Sequence, residues 1–386
     1  MGEDNKVVSI ESYARIPRDE SHGRMKLYSE PIGFYIAWVN LWEAVTGYSE
    51  GRVLLYVREG EQVHPTGSRG YRIVEVPETL ACSRYIALFS KTPKDIVCPQ
   101  FWELKWAVGC PYSCSYCYLQ GTLYGRKSFR LKDLSKLEVE LRRLFNWANE
   151  VGVSLLLNSG ELSDSLAVPQ ATEKLLEILK RVLPEYQNHK VLIVTKAGLY
   201  QTAKFLKVAK GLEEYIIVSY SINARSVAKA YELAPPPDER LRAAKEVKER
   251  GFTVRLRLDP VIPVGGWKAE YGELVEDILM REVEPERITI GTLRGLLKTL
   301  IYSKDRRWVA YLRGGERTGW GLKLPPKLRE EVYAYIIERL KEGSYGGVIS
   351  LCKETRAMWV KLVKKGLLED PGTPGVWELV RCNCKL

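Results

Sequence analysis

From about residue 98 to 300 the chain alternates short apolar runs with longer amphipathic stretches. Phe101 to Val108 is strand-like, and Val153 to Leu157 is a nearly continuous apolar run of the kind that reads as a strand buried on both faces. Lys190 to Thr195, Tyr215 to Tyr220, Thr253 to Leu258 and Arg287 to Ile290 repeat that signature. Helical periodicity fills the intervals near 134–150, 171–184, 199–210, 238–250 and 268–281. Six strands, most followed by a helix, predict an α/β fold with a parallel sheet curved into a partial (β/α)6 TIM-type barrel.

The flanks have a different rhythm. Before the barrel, Phe34 to Val39, Arg52 to Val57 and Tyr71 to Val76 are short apolar segments between Gly and Pro turns, which predicts a small mixed α/β accessory domain over 1–97. After it, 301–386 shows no barrel rhythm. Pro325 to Gly343 and Lys353 to Lys365 read as helices, so a mainly helical extension is expected beyond a barrel domain of 98–300.

A parallel barrel carries its chemistry at the carboxyl ends of its strands. Polar residues follow every predicted strand. A cysteine loop follows the first, Asn158-Ser159-Gly160-Glu161 the second and Thr195-Lys196 the third. Ser219, Ser221 and Asn223 close the fourth, Asp259-Pro260 the fifth, and the sixth runs toward Thr292 and Arg294. Asn, Ser, Gly and Asp are ordinary turn residues. Lys196 and Arg294 are not.

The first of these loops, GCPYSCSYCYLQGT, sets Cys110, Cys114 and Cys117 at C-x-x-x-C-x-x-C spacing. Three thiolates on one loop leave one iron of a 4Fe-4S cluster without a protein ligand, and an open iron can bind a small molecule and pass it an electron. Zinc is a poor alternative, since it usually takes four ligands and His22, His64 and His189 all lie far along the chain. The expected occupant of the open iron is S-adenosylmethionine. Its reductive cleavage gives a 5'-deoxyadenosyl radical, chemistry that belongs to the cofactor while the protein positions and shields it. A one-electron reductant such as ferredoxin or flavodoxin is then required.

Composition narrows the setting. No apolar run in the 386 residues approaches the roughly 20 needed to span a membrane, and the opening MGEDNKVVSIESY is polar, so no membrane association and a cytoplasmic protein are expected. Eight cysteines in a reducing compartment favour metal chemistry over disulfides. A net charge of +11, with groups such as Lys361, Lys364 and Lys365, suits a nucleic acid partner. Trp267, Trp320 and Trp359 are either stacking surfaces for bases or core residues.

The runs CSYCYLQGT, IVTK ending at Lys196, SINAR from Ser221 to Arg225, ERLRAAKEVKERGF and DPVIPVGGW resemble the spore photoproduct lyase family of the radical S-adenosylmethionine superfamily. The resemblance covers roughly 98–300. It implies a lyase-like or base-modifying enzyme that abstracts hydrogen from a nucleic acid base or nucleotide, in DNA repair or in modification. It also implies that Ser163, Lys196 and Ser221 surround S-adenosylmethionine, while Tyr116 and Tyr118 lie near the radical path. From their places at the strand ends, Asn223 is expected beside the cofactor, and Asp259 is expected to face the substrate with Tyr118. Ser159-Gly160-Glu161 resembles the Gly-Gly-Glu element with which radical S-adenosylmethionine enzymes bind the cofactor's amino group.

One departure stands out. Glu161 occupies the position at which the family carries its hydrogen-donor cysteine, and a carboxylate cannot return a hydrogen atom to a thymine radical. Cys352, Cys382 and Cys384 remain. One of them could donate the hydrogen atom, or the three could hold a second iron-sulfur cluster or metal with Cys82 or Cys98. A second expectation therefore stays open, a radical enzyme acting on a peptide or small metabolite with an auxiliary cluster near the end of the sequence. A nucleic-acid-binding protein with a structural cluster is a third, and it predicts no cleavage of S-adenosylmethionine.

Overall fold

The fold is given by a computed structural model that describes residues 18–19, 24–25, 53–63, 69–126, 128–369, 377 and 380–386. The expected strand Phe34 to Val39 lies outside them. The chain divides at Gly51. Within the first unit, Arg18–Asp19 and Arg24–Met25 pair antiparallel; the rest of the description concerns 52–386.

That unit is organised around an eight-stranded sheet: β1 (Ile86–Phe89), β2 (Phe101–Leu104), β3 (Leu156–Asn158), β4 (Lys190–Thr195), β5 (Ile216–Ser221), β6 (Thr253–Val261), β7 (Arg287–Thr292) and β8 (Val348–Leu351). The spatial order follows the sequence, and every neighbouring pair from β2 to β8 is parallel. Between strands run α1 (Leu137–Glu150), α2 (Pro169–Val182), α3 (Leu199–Ala209), α4 (Pro237–Glu249), α5 (Trp267–Met280) and α6 (Pro326–Glu342), with α7 (Arg356–Lys364) after β8. This is the partial (β/α) barrel that the apolar rhythm predicts. Proline opens α2, α4 and α6, where its fixed φ suits the first turn and its missing N–H removes no helix bond. The buried stripe of α1, Leu137, Leu141, Leu144, Phe145 and Ala148, has the three-to-four spacing of one helix face. Each such large side chain contributes roughly 1.5–3 kcal/mol on leaving water.

Two expectations change. The region beyond 300 does contain barrel rhythm: β8 pairs in parallel with β7 from Arg287↔Val348 to Ile290↔Leu351 and adds a seventh parallel strand. A four-residue strand after a long connection leaves little trace in the sequence. Nor does the chain divide at 97, because β1 pairs antiparallel with β2 from Ile86↔Leu104 to Phe89↔Phe101 and so belongs to the barrel sheet. Upstream of it, Val53–Val63 and Arg69–Val76 form an antiparallel hairpin, near the strands expected there.

The two edges of the sheet are tied together by a short antiparallel ladder, Ile96–Val97 with Glu354–Thr355, reinforced by Arg356 N–H to Asp95 O at 2.8 Å. The inner face is unusually polar. Across the parallel ladders Val194 aligns with Ser219, Ser219 with Arg255 and Arg255 with Arg287. Against this face lies the segment Cys382–Lys385, a turn closed by Lys385 N–H to Cys382 O at 3.2 Å. Arg255 Nη1 donates to the Asn383 and Lys385 carbonyls at 2.6 and 2.8 Å, and Arg287 Nη1 to those of Cys382 and Lys385 at 2.7 and 3.0 Å. Both arginines are 1% exposed and pair with Glu286 at 2.6 and 2.7 Å, so that carboxylate and these backbone oxygens together stand in for the water their guanidiniums have lost.

Candidate active site

The cysteine loop follows the short strand Ala107–Val108. Its entry depends on Gly109, whose φ is +89° and whose hypothetical Cβ would stand 2.2 Å from Ser128 O; its N–H donates to Leu162 O at 2.8 Å. The loop is then held at both ends. Cys117 N–H donates to Cys114 O at 3.0 Å, Gln120 Nε2 to Cys114 O at 3.2 Å, and Ser303 Oγ to Ser115 O at 2.6 Å. Cys114 is buried, and Cys110 and Cys117 are half-buried. Burial pushes all three thiols up, Cys110 to about 12, and Cys110 and Cys117 each raise Cys114 further. Among the described residues no three His, Cys, Asp or Glu side chains converge closely enough to form a metal cage. The donor chemistry nevertheless fits an iron-sulfur cluster: three neighbouring thiols, destabilised as bare thiolates by burial, on a loop with no fourth ligand of its own.

The end of β3 wraps beneath this loop. Glu161 is fixed at both carboxylate oxygens, by Asn158 Nδ2 at 2.9 Å and by Tyr118 Oη at 3.1 Å; the Tyr118 hydroxyl also meets the Glu161 carbonyl. Gly160 packs on β4, where a Cβ would stand 2.4 Å from Val194 Cβ. Ser159 Oγ is spent on Ser165 Oγ and Leu192 O, both at 2.8 Å. Ser163 is buried with Oγ 3.2 Å from Asp164 O. Asp164 then clamps the next strand end, accepting Thr195 Oγ1 and Lys196 N–H at 2.7 Å each.

Lys196 itself sits above a buried network. Its Nζ is 3.7 Å from Glu232 Oε1 and 6.0 Å from the centroid of Tyr116. Glu232 also accepts the Tyr116 hydroxyl and pairs with Arg240. Burial alone would raise the Glu232 carboxyl, but Lys196 and Arg240 outweigh it and hold it below its ordinary value. Arg240 Nη1 reaches on to Ser221 O at 3.1 Å, which ties β5 to the same network. Asn223 is fully engaged: Nδ2 donates to Pro260 O at 3.0 Å and Oδ1 accepts from Tyr271 Oη at 2.8 Å and Ala224 N–H at 3.0 Å. Its amide therefore locks β5 to β6 instead of reaching outward.

At the end of β6, Asp259 accepts Arg257 Nη2 and Arg294 Nη2 at 2.7 Å each. Burial opposes its charge, yet the two guanidiniums hold its carboxyl far below the usual range. Cys352, the first residue past β8, joins this group: its carbonyl accepts Arg294 Nη1 at 3.0 Å and its Sγ accepts from Arg257 Nη2 at 3.8 Å. Lys353 follows with φ +51° and points its ammonium among the rings of Trp320, Phe89 and Tyr118 at 4.8, 5.7 and 5.8 Å. The buried Lys323 pins that backbone by donating to Lys353 O at 2.6 Å.

Cys384 is the other cysteine near this group. Its Sγ is 3.5 Å from Asn158 Nδ2. Cys82 is exposed, and Cys98 is half-buried with its carbonyl bonded to Thr92 Oγ1. Of the three tryptophans weighed as stacking surfaces, Trp359 is core at 3% exposure. Sequence reasoning missed Glu232, Arg240, Arg257 and Lys353. Only Arg257 carried a signal, as a charge at a strand position two before Asp259.

A parallel barrel with a three-cysteine loop after its first parallel strand and polar groups at each strand end is the architecture of the radical S-adenosylmethionine class. The model of the family described as "Spore photoproduct lyase" matches residues 99–292, half of the chain, and the chain belongs to that family. Among solved structures, spore photoproduct lyase complexed with dinucleoside spore photoproduct superposes with a TM-score of 0.55 at 18% identity, over 65% of this chain and 76% of that one. A doubly substituted variant with bound AdoMet and the same dinucleoside gives 0.53 at 19% identity, over 63% and 74%. These identities establish the fold. A curated relative, "Uncharacterized protein ORF301" of Acidianus two-tailed virus, is 24% identical over 198 residues, 47% of this chain and 62% of that protein, so the match spans less than two thirds of the relative. Among the described residues no helix is long and apolar enough to cross a membrane.

Proposed function

We propose that this chain is a radical S-adenosylmethionine enzyme that abstracts hydrogen from a nucleic acid base or nucleotide, with a repair-type lyase reaction as its leading form. The observation that carries the reading is the convergence of the cysteine loop with Glu161, Lys196 and Asp259, each held by its own hydrogen bonds or ion pairs at a strand end of one barrel. Cys110, Cys114 and Cys117 would hold the cluster. When bound, the cluster and S-adenosylmethionine supply a carbon-centred radical, fed by a one-electron donor of the ferredoxin or flavodoxin kind in the cytoplasm.

The residues around it have distinct tasks. Glu161, immobilised at both oxygens, offers a fixed carboxylate for an ammonium group, with Gly160 allowing close approach. Lys196 offers a cation for a carboxylate, and Ser163 and Ser221 would offer hydroxyls. Ser159 and Asn223 act through the backbone they fix. Tyr116 and Tyr118 would lie near the radical path, both hydroxyls being tied to carboxylates. Asp259 stays ionised between its two arginines and presents charge and hydrogen-bond acceptors to the substrate. The net charge of +11 supports a polyanionic partner.

The test is the rate of 5'-deoxyadenosine formation under anaerobic reducing conditions, with ultraviolet-irradiated DNA against the same DNA unirradiated. Stimulation by irradiated DNA alone is expected of repair. Equal stimulation by both moves the reading to modification of undamaged nucleic acid, and an absence of 5'-deoxyadenosine overturns it.

A further inference from the structure

A carbon radical left on a substrate by hydrogen abstraction becomes a closed-shell product when it gains a hydrogen atom. The thiol S–H bond is weak enough to supply one. With Cys110, Cys114 and Cys117 assigned to iron, the available thiols are Cys82, Cys98, Cys352, Cys382 and Cys384. Cys352 Sγ is already engaged by Arg257 Nη2 at 3.8 Å, inside the Asp259 ion-pair group. Cys384 lies half-buried on the inner face, packed on Leu156, Leu192, Val194 and Ile217. Its Sγ contacts Asn158 Nδ2 at 3.5 Å, and that same nitrogen holds Glu161 Oε1 at 2.9 Å.

We propose that Cys384 is the hydrogen-atom donor of this enzyme, brought by the segment Cys382–Lys385 through the inner face of the barrel to the place beside Glu161. The proposal rests on the radical reading above. A thiol absent from position 161 is thereby restored in space from 223 residues further along the sequence (384 − 161).

Two observations argue that this segment does more than fill a void. Arg255 and Arg287 are buried beside Glu286, which they meet at 2.6 and 2.7 Å, and both turn Nη1 to the carbonyls of this segment, a desolvation cost that apolar packing would avoid. Ser219 Oγ adds a further tie to Asn383 Oδ1 at 2.8 Å, so the position of Cys384 is set by three side chains from three strands. Moreover, Thr289 Oγ1, Ser350 Oγ and Asn383 Nδ2 have no hydrogen-bond partner among the described residues, although Thr289 and Ser350 are 1% and Asn383 2% exposed. Thr289 and Ser350 are paired neighbours on the inner face. Unsatisfied polar groups at that depth mark a space suited to water or a polar ligand.

The step balances. The Cys384 S–H bond breaks homolytically, the hydrogen atom forms a C–H bond on the substrate radical, and a thiyl radical remains on Cys384. One electron from the low-potential reductant already required, and one proton from water in the polar interior, restore the thiol.

The test uses the full-length holoenzyme with dithionite, S-adenosylmethionine and the dinucleoside spore photoproduct as probe, in D2O. Wild type is expected to place one deuterium in the product. Cys384→Ala should lower product roughly tenfold or more while 5'-deoxyadenosine formation stays within about threefold, a split between initiation and completion that a folding defect does not produce. Cys384→Ser, which keeps the size and the contact to Asn158 but holds its hydrogen too strongly, should show the same split. Deuterated product from Cys384→Ala at the wild-type rate overturns the proposal, as does the split appearing in Cys352→Ala instead. If wild type cleaves S-adenosylmethionine but leaves the probe intact, the repair reading fails by itself. Cys384 is then judged by deuterium carried into 5'-deoxyadenosine without substrate, which Cys384→Ala should lower roughly threefold; an unchanged level overturns the proposal. Independently of turnover, Asn158→Ala should raise iodoacetamide labelling of Cys384 about threefold in the unreduced protein, and an unchanged rate denies the contact.

Discussion

Glu232 and Arg240 form an ion pair in which neither side chain has exposed surface, directly below the loop that carries the three cysteines. Removing one partner of such a pair strands the other charge in the interior, which typically costs about 3–5 kcal/mol. Glu232→Ala should therefore lower unfolding stability by that amount, read from denaturant midpoints. A loss below about 1 kcal/mol would mean that water reaches Arg240 and that the pair is not the support described here.

Cluster ligation predicts an all-or-none dependence on the loop. After anaerobic reconstitution, Cys110→Ala, Cys114→Ala and Cys117→Ala should each lose most bound iron and all cleavage of S-adenosylmethionine. Iron and sulfide content check the first claim and 5'-deoxyadenosine the second. A Cys114→Ala protein that retains cleavage would falsify the assignment.

Gly109 and Gly160 should be intolerant for different reasons. At Gly109 a side chain meets both a left-handed φ of +89° and the Ser128 carbonyl, so Gly109→Ala should destabilise by more than the roughly 1 kcal/mol of the backbone term alone. At Gly160 the obstacle is Val194, 2.4 Å from the added Cβ. Gly160→Ala should weaken binding of S-adenosylmethionine, measured by calorimetry, and the double variant Gly160→Ala with Val194→Ala should recover part of it. No recovery would place the defect elsewhere.

His189 supplies a pH signature. Its Nδ1 accepts Leu155 N–H at 3.2 Å and its ring stacks on Phe145 at 4.5 Å, an arrangement that requires the neutral imidazole, and burial pulls its pKa down to about 4. The unfolded chain takes up that proton near 6.5 while the folded chain does not. Stability from this residue is thus complete above pH ~6.5 and falls away as pH drops toward 4, by about 2 kcal/mol. The stability difference between wild type and His189→Gln should shrink across that window. A difference independent of pH would show that His189 titrates normally.

The barrel core was legible because strands buried on both faces are continuous apolar runs and their helices carry one-sided stripes: Lys190–Thr195 stands at its expected bounds. The places of Glu161, Lys196 and Asp259 at strand ends were legible because the apolar runs mark where each strand stops. What was hidden depends on contacts distant in sequence. Glu232 looks like any helix-end glutamate until Arg240 and Tyr116 fold against it. Ser159 and Asn223 looked available because nothing local reveals that Ser165, Pro260 and Tyr271 consume their polar atoms. The strand Val348–Leu351 is too short to announce its partner.

The arginine clamp on Cys382–Lys385 also has a consequence for how the protein is made. Every wall of the barrel precedes this segment in the chain, so during synthesis the walls emerge from the ribosome while Arg255 and Arg287 still have no backbone carbonyls to meet. A nascent barrel must pass through a hydrated, unstoppered stage. Docking of Cys382–Lys385 then exchanges that water for four residues of the chain itself.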